Sequence, residues 1–125
     1  MKLKLLVAVM SGAAVLAMTM TDVSAAGIRV KCEKRADRSK ISVDGDGLTV
    51  GAYKAIVISG ANSKTSGAKP TVGDEVEFDF DSAAADIAAG ATAISRTFIQ
   101  GAVTGKIVNA KGSVVASDTV ACRTR

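Results

Sequence analysis

The stretch of this chain that could do chemistry is a run of six acidic residues uninterrupted by a base: Asp74, Glu75, Glu77, Asp79, Asp81 and Asp86. Four of them alternate with apolar residues, so an extended strand would place these four on one face, about 6.5–7 Å apart. Clustered carboxylate oxygens are the ligands that Ca²⁺ prefers, which makes a ligand or cation face one hypothesis. We favour a solvated outer face or a charged sheet edge, because calcium sites usually gather their ligands in a loop.

The chain contains no histidine. It therefore lacks the commonest general base, the Ser-His and Cys-His nucleophile pairs and the usual zinc ligand. Two cysteines joined to each other could not replace these groups. We expect no enzymatic activity, no catalytic residue, no metal centre and no cofactor.

The N-terminus has the order of a secretory signal peptide. Lys2 and Lys4 precede an uncharged run from Leu5 to Met20, and the small residues of Val23–Ala26 follow. This order predicts a cleavable signal peptide over residues 1–26, removed after Ala25 or Ala26. The run is shorter than the span of about 20 apolar residues that crosses a bilayer, so we expect no membrane span after cleavage. A retained anchor is the alternative. We expect a secreted protein, periplasmic or extracellular, whose residues 27–125 form one domain.

Cys32 and Cys122 lie near the two ends of that domain. Export to an oxidising compartment predicts that they form an intramolecular disulfide. A free thiol pair and an intermolecular bond remain as alternatives.

Charge is distributed unevenly along the chain. The segment from Arg29 to Lys40 is basic and the segment from Asp74 to Asp86 is acidic. Nucleic-acid binding would require a basic stripe with aromatic platforms, and the basic segment contains no aromatic residue, so we exclude it. If these two segments lie at opposite ends of the domain, copies could associate head to tail. If they lie on neighbouring strands, their charges neutralise each other within one molecule, which is the arrangement we favour.

Alternation of apolar and polar residues predicts short strands through most of the domain. The predicted strands are Ile28–Lys34, Lys40–Val43, Ala52–Ser59, the strand with Val76, Phe78 and Phe80 on one face, Thr97–Gln100, Ala102–Val108, Ser113–Ser117 and Thr119–Arg123. Asp44–Gly47 and Asn109–Gly112 are predicted turns, with Leu48 and Val50 resuming the apolar face, and Gly60–Gly73 is a predicted loop. A short helical crossover is predicted within Ser82–Ala93, capped by Asp81 or Ser82.

Seven or eight such strands in an exported domain of this size indicate an all-β, antiparallel β-sandwich of the immunoglobulin-like or transthyretin-like kind. The segment from Val103 to Val115 resembles the hairpin of carboxypeptidase-regulatory-type, transthyretin-like domains, which implies a sandwich fold and no particular function. Chaperone–usher pilins are sandwiches with a glycine at the position of Gly112, but Thr124 stands where they have a tyrosine.

We therefore expect an exported, non-enzymatic binding or structural module of the bacterial cell envelope or exterior. A protein or a surface glycan is the expected partner, bound through the acidic face or the Gly60–Gly73 segment. The alternative is a self-assembling, pilin-like surface or fibre subunit, and a Ca²⁺-binding sandwich is a weaker third hypothesis.

Overall fold

The computed structural model describes residues 26–125; the predicted signal peptide, apart from Ala26, lies outside this range. The described chain is mostly β-structure arranged in two sheets, which confirms the predicted all-β class. The strands are β1 (Gly27–Arg35), β2 (Arg38–Asp46), β3 (Ala52–Ser59), β4 (Asn62–Thr65), β5 (Lys69–Pro70), β6 (Val76–Asp81), β7 (Thr92–Ala93), β8 (Val103–Asn109), β9 (Val114–Val120) and β10 (Arg123–Thr124). One helical turn, α1 (Ala84–Ala88), follows β6. Within residues 26–125, no helix is long and apolar enough to cross a bilayer.

The first sheet has the strand order β10-β1-β2-β6-β7, and the second has the order β4-β3-β8-β9, with β5 also paired to β3. Neighbouring strands are antiparallel except for two short parallel pairs at the edges of the first sheet, β1 with β10 and β6 with β7. Both long hairpins, β1–β2 and β8–β9, join strands that are neighbours in sequence.

Side chains that point between the sheets form the apolar core. Alternation predicted these inward faces correctly on β1, β2, β6 and β8, whereas β3 was predicted to be largely apolar on both faces. The first sheet contributes Ile41, Val43 and Phe80, and the second contributes Val57, Val103 and Ile107, each with 0% exposure.

Two glycines allow the sheets to approach closely. A Cβ atom on Gly105 would lie 2.7 Å from Val30 Cγ2, so only glycine leaves room for that valine. Gly45 lies beneath Ile107 in the same way. The predicted turn at Asp44–Gly47 is wrong for this reason: β2 continues through Asp46, and Gly45 is an inward position of a strand rather than a turn residue.

Two loop predictions are also corrected. Leu48 is buried as expected, but Val50 is 82% exposed and lies outside any strand. The Gly60–Gly73 segment contains the edge strands β4 and β5. Gly60 adopts a positive φ in the tight turn that pairs Ser59 with Asn62, and Pro70 is tolerated because β5 is a short edge strand.

The predicted strand Thr97–Gln100 is not a strand, although Phe98 and Ile99 are buried. Buried serines hold this crossing from the first sheet to the second. Ser39 Oγ donates a hydrogen bond to the Arg96 carbonyl at 2.7 Å, and the Gln100 N–H donates to Ser59 Oγ at 2.7 Å. Side-chain hydrogen bonds therefore replace the backbone ladder that the apolar pattern had suggested.

The short helix is confirmed, but its cap is displaced. Helix α1 begins after Ala83, which offers no capping side chain, instead of after Asp81 or Ser82. Asp81 still accepts a hydrogen bond from the Ala83 N–H at 2.9 Å. The helix connects two strands of the first sheet, so the crossing between sheets comes later than predicted.

The C-terminal segment passes from one sheet to the other. The two predicted strands Ser113–Ser117 and Thr119–Arg123 are instead one strand of the second sheet, β9, and two residues, β10, that pair with β1 in the first sheet. Cys122 lies at the crossing and is bonded to Cys32 on β1, with the two Cα atoms 4.8 Å apart. The predicted disulfide is therefore confirmed.

Replacing both cysteines by alanine should lower the free energy of unfolding by about 3–5 kcal/mol, because the bond closes a loop over a sequence separation of 90 residues. Urea unfolding of the oxidised protein and of the variant measures this difference. Wild-type protein in reducing agent serves as the control, and its unfolding midpoint should equal that of the variant. Equal midpoints for oxidised and reduced protein would contradict the prediction.

Gly105→Ala should destabilise the domain by about 1–3 kcal/mol, because its methyl group would collide with the stiff, branched side chain of Val30. Gly67→Ala is the matched control, since a Cβ atom there meets nothing within 4 Å. Thermal unfolding of both variants separates the effect of close packing from a general effect of replacing glycine. Similar losses for the two variants would argue against the close approach of the sheets.

Candidate functional site

The outer face of the first sheet carries a regular array of charged side chains, which we call the charged face. The inward residues of β1, β2 and β6 are buried, so the residues between them point away from the core. Strand pairing arranges the residues of this face in three rows across β1, β2 and β6: Arg29–Asp44–Glu77, Lys31–Ser42–Asp79 and Glu33–Lys40–Asp81, of which Asp81 alone is buried. Arg123 of β10 extends the third row beyond Glu33.

The basic and acidic segments of the sequence therefore lie in one sheet: the basic segment covers β1 and the start of β2, and the acidic segment includes β6 on the other side of β2. Two strand spacings amount to about 10 Å, which exceeds the Debye length of about 8 Å at physiological ionic strength. Among the residues that the structure describes, no ion pair joins β1 to β6. The charges of β1 and β6 therefore do not neutralise each other by direct contact. The neutralisation expected between neighbouring strands occurs at one end of the face, where Arg38 of the basic segment pairs with Asp81 and Asp86 of the acidic segment.

The pKa of Asp44 shows the effect of the neighbouring acidic residues on this face. Partial burial and the neighbouring carboxylates of Glu77 and Asp79 raise its pKa, and the charges of Lys31 and Arg29 offset this only in part. The carboxylate of Asp44 is therefore a site at which a positive group from outside the molecule would be stabilised.

Glu33 has the opposite environment. Partial desolvation would raise its pKa, but the hydrogen bond from Arg35 and the charges of Arg125 and Arg123 outweigh it and lower the pKa. Arg35 Nε donates to Glu33 Oε2 at 3.1 Å, and Arg125 Nε lies 2.6 Å from the same oxygen. Glu33 is thus held in place at the edge of the charged face.

An open hollow of about 530 Å³ lies on the basic side of this face. It extends from β2 across β1 to the crossing segment near the disulfide. Its lining combines charged side chains of both signs with uncharged residues, and consists of Val30, Lys31, Cys32, Glu33, Lys40, Ser42, Asp79, Ala121 and Arg123. A hollow of this composition suits a ligand or a protein side chain that carries both charges.

Asp81 does not belong to the solvated face that alternation predicted. Its side chain is only 2% exposed, and Arg38 binds both of its carboxylate oxygens, with Nε–Oδ1 and Nη2–Oδ2 distances of 2.9 and 2.7 Å. Burial would raise the pKa of Asp81, but the hydrogen bonds from Arg38 and from the Ala83 N–H lower it. Arg38 also pairs with Asp86 at 2.9 Å. This cluster fixes the start of the helical connection to β6.

The six acidic residues singled out in the sequence thus occupy three places. Glu77 and Asp79 are exposed on the charged face, Asp81 and Asp86 share Arg38, and Asp74 and Glu75 lie in the turn before β6. Asp74 accepts a hydrogen bond from the Gly47 N–H at 3.2 Å. In the part of the chain that the structure describes, no group of three acidic side chains converges closely enough to hold a metal ion.

Sequence reasoning missed the basic and central residues of the charged face. Lys40, Ser42 and Asp44 alternate with buried residues on β2, and this signal was hidden because Asp44 was assigned to a turn. The other predicted binding segment, Gly60–Gly73, lies on the second sheet and ends beside Val72, which is 82% exposed.

The sequence matches no protein-family model, and no curated protein is significantly similar to it. The assignment of function therefore depends on the chain's own geometry.

Asp81→Asn should lower the free energy of unfolding near pH 7 by about 1.5–3 kcal/mol, because a buried charge-assisted pair is lost. Since folding lowers the pKa of Asp81, its contribution is present above the unfolded-state value of about 3.9 and is lost as the pH falls through the lower, folded value. Denaturant unfolding from pH 7 to pH 2 should show that the two proteins converge in acid. Asp86→Asn, at a side chain with 47% exposure, is the control and should lower the free energy of unfolding by less than Asp81→Asn does. A pH-independent difference would contradict the role of this ion pair.

Proposed function

We propose that this chain is an exported, non-enzymatic binding or structural module of the bacterial cell envelope or exterior, which contacts its partner through the charged face. The observation that carries the proposal is the Cys32–Cys122 disulfide, which agrees with the predicted signal peptide. The predicted cleavage site ends where β1 begins, at Gly27, and β1 is tied to the end of the chain by a disulfide. A disulfide of this kind persists outside the reducing cytosol, which fits a non-cytoplasmic protein.

The strand order supports an immunoglobulin-like assignment for this module. β1, β2 and β6 correspond to strands A, B and E, and β3, β8 and β9 correspond to strands C, F and G. β4 then extends the second sheet beside β3, as an additional strand does in immunoglobulin variable domains. Tyr53 donates a hydrogen bond to the Thr49 carbonyl at 2.7 Å and so fixes the entry to β3.

The absence of histidine from the sequence and the use of both cysteines in the disulfide support a non-enzymatic role. The most buried carboxylate of the described residues, that of Asp81, is engaged by Arg38 and has its pKa lowered, which is unsuited to a general acid. The charged face offers a different kind of chemistry, namely recognition through a fixed pattern of charges. A protein surface or a charged surface glycan is the class of partner that fits such a pattern.

A self-assembling surface subunit is the second candidate. It is favoured by one observation, which is that the charged face has both a basic and an acidic side. A second copy of the chain would present both signs to it.

Expression of the full chain in a bacterial host with an outer membrane tests the proposal. We expect to recover the protein outside the cytoplasm, with the mass of a chain whose first residue is Ala26 or Gly27. After denaturation without reduction, it should have no thiol available for alkylation. Leu16→Arg, which places a charge in the uncharged run, is the control and should leave an unprocessed chain in the cytoplasm. Recovery of the unmodified chain in the cytoplasm with two reactive thiols would refute export.

A further inference from the structure

The three rows of the charged face become complementary to a second copy of the chain after one rotation. Consider two copies that face each other through this surface, with a twofold axis parallel to the strands and located between β1 and β2. Rotation about an axis along the strands keeps each residue in its own row and exchanges positions across the sheet. β1 of one copy then faces β2 of the other, and β10 faces β6.

The first row then forms a square of four charges with alternating sign. Arg29 and Asp44 are neighbours across β1 and β2 within one copy. After the rotation, Arg29 also faces Asp44 of the partner subunit, and the partner subunit's Arg29 faces Asp44. Asp44 thereby gains a second positive neighbour, which offsets the repulsion from Glu77 and Asp79 in its own subunit.

The other two rows obey the same symmetry. Glu33 and Lys40 are also neighbours across β1 and β2, so they form a second square of alternating sign with their symmetry mates. Lys31, in the row between, faces a neutral residue, Ser42 of the partner subunit, and Asp79 of the partner subunit lies one strand further on. These three rows therefore avoid setting like charges directly opposite each other. Beyond them, the pair Arg35–Arg38 at the end of the hairpin would face its own symmetry mate, but Glu33 already pairs with Arg35, and Asp81 and Asp86 pair with Arg38.

Other twofold axes lack this property. An axis over β2 would set Asp44 against Asp44 and Lys40 against Lys40. An axis in the plane of the sheet, perpendicular to the strands and over the middle row, would set Arg29 against Glu33 and Asp44 against Lys40. It would also set Lys31 against Lys31 and Asp79 against Asp79. Of these three placements, only the axis between β1 and β2 keeps like charges apart in all three rows, and an isologous contact of this kind closes on itself after two copies.

We propose that the charged face is an interface between two copies of this chain, which associate face to face about the axis between β1 and β2 as a closed dimer. This inference rests on the proposed function, because it names the partner of the same face. Stacked sheets twist relative to each other by about 30°, so the match is best near the axis, where both squares lie.

The chemistry of the face determines the strength of the dimer. The three rows consist of charged side chains and one serine, without an apolar anchor. The association is therefore weak and depends on ionic strength, because surface charges are screened over about 8 Å in physiological salt. It should be strongest in low salt and should dissociate as salt is added.

Two charge reversals test the geometry by complementation. Arg29→Glu sets the introduced carboxylate against Asp44 of an identical partner, and Asp44→Lys sets the introduced ammonium group against Arg29. Each variant alone places like charges in both symmetric contacts and should weaken the dimer at least about tenfold. In an equimolar mixture, the introduced carboxylate of one variant faces the introduced ammonium group of the other, and the second contact remains as in the wild type. The mixture should therefore recover dimers that contain one copy of each variant.

Sedimentation equilibrium in low salt, at concentrations up to about 1 mM, measures the dimer, and native mass spectrometry identifies its composition. Lys54→Glu reverses an exposed charge on the second sheet and should leave the dimer unchanged. Circular dichroism verifies that each variant is folded. The proteins are used as recovered, with the disulfide intact.

Wild-type protein that remains monomeric in low salt would overturn the proposal, and so would a mixture without mixed dimers. Filaments would overturn the closed dimer in favour of an open contact. These outcomes are independent of export: an exported, oxidised monomer retains the proposed function without this partner, whereas a mixed dimer of a cytoplasmic chain supports the interface and refutes export.

Discussion

The bond between Cys32 and Cys122 is the constraint on which the arrangement of this domain depends. Every residue of β9 is at least partly exposed, so this strand contributes little buried apolar surface, and β10 pairs with β1 at only two positions. The bond, together with the Arg125 N–H that donates to the Lys34 carbonyl, holds the crossing segment against the first sheet. It thereby fixes the edge of β1, which carries the basic side of the charged face.

The parts of the fold that sequence could predict are those governed by alternation. The inward residues of β6 and β8 follow from a period of two, because each strand has one face on the core. The bounds of β3 were also predicted, from a run that is largely apolar on both faces. The errors occur where residues distant in sequence decide local structure. Gly45 was predicted to lie in a turn, but it lies in a strand because Ile107 packs against it. Ile99 was predicted to lie in a strand, but its backbone N–H donates to the side chain of the buried Ser39 instead.

The charged face was less predictable than the fold. The acidic strand was recognisable, but the sequence does not show that β2 lies between β1 and β6, since β6 joins the sheet after a long excursion through β3, β4 and β5. Alternation also implied a solvated Asp81, whereas the helical connection covers it and Arg38 binds it. Strand order is a property of the whole chain, so the pattern of rows emerges only after folding.

Net charge and the arrangement of charges have different effects on binding. A net positive charge carried on a surface of one sign would attract many anionic partners at long range. Here both signs lie side by side on one face, so opposite charges largely cancel at a distance and the field is appreciable only close to the face. Recognition then depends on register, because a shift of one strand turns attraction into repulsion. A surface that lacks large apolar anchors can in this way discriminate among partners while binding them weakly.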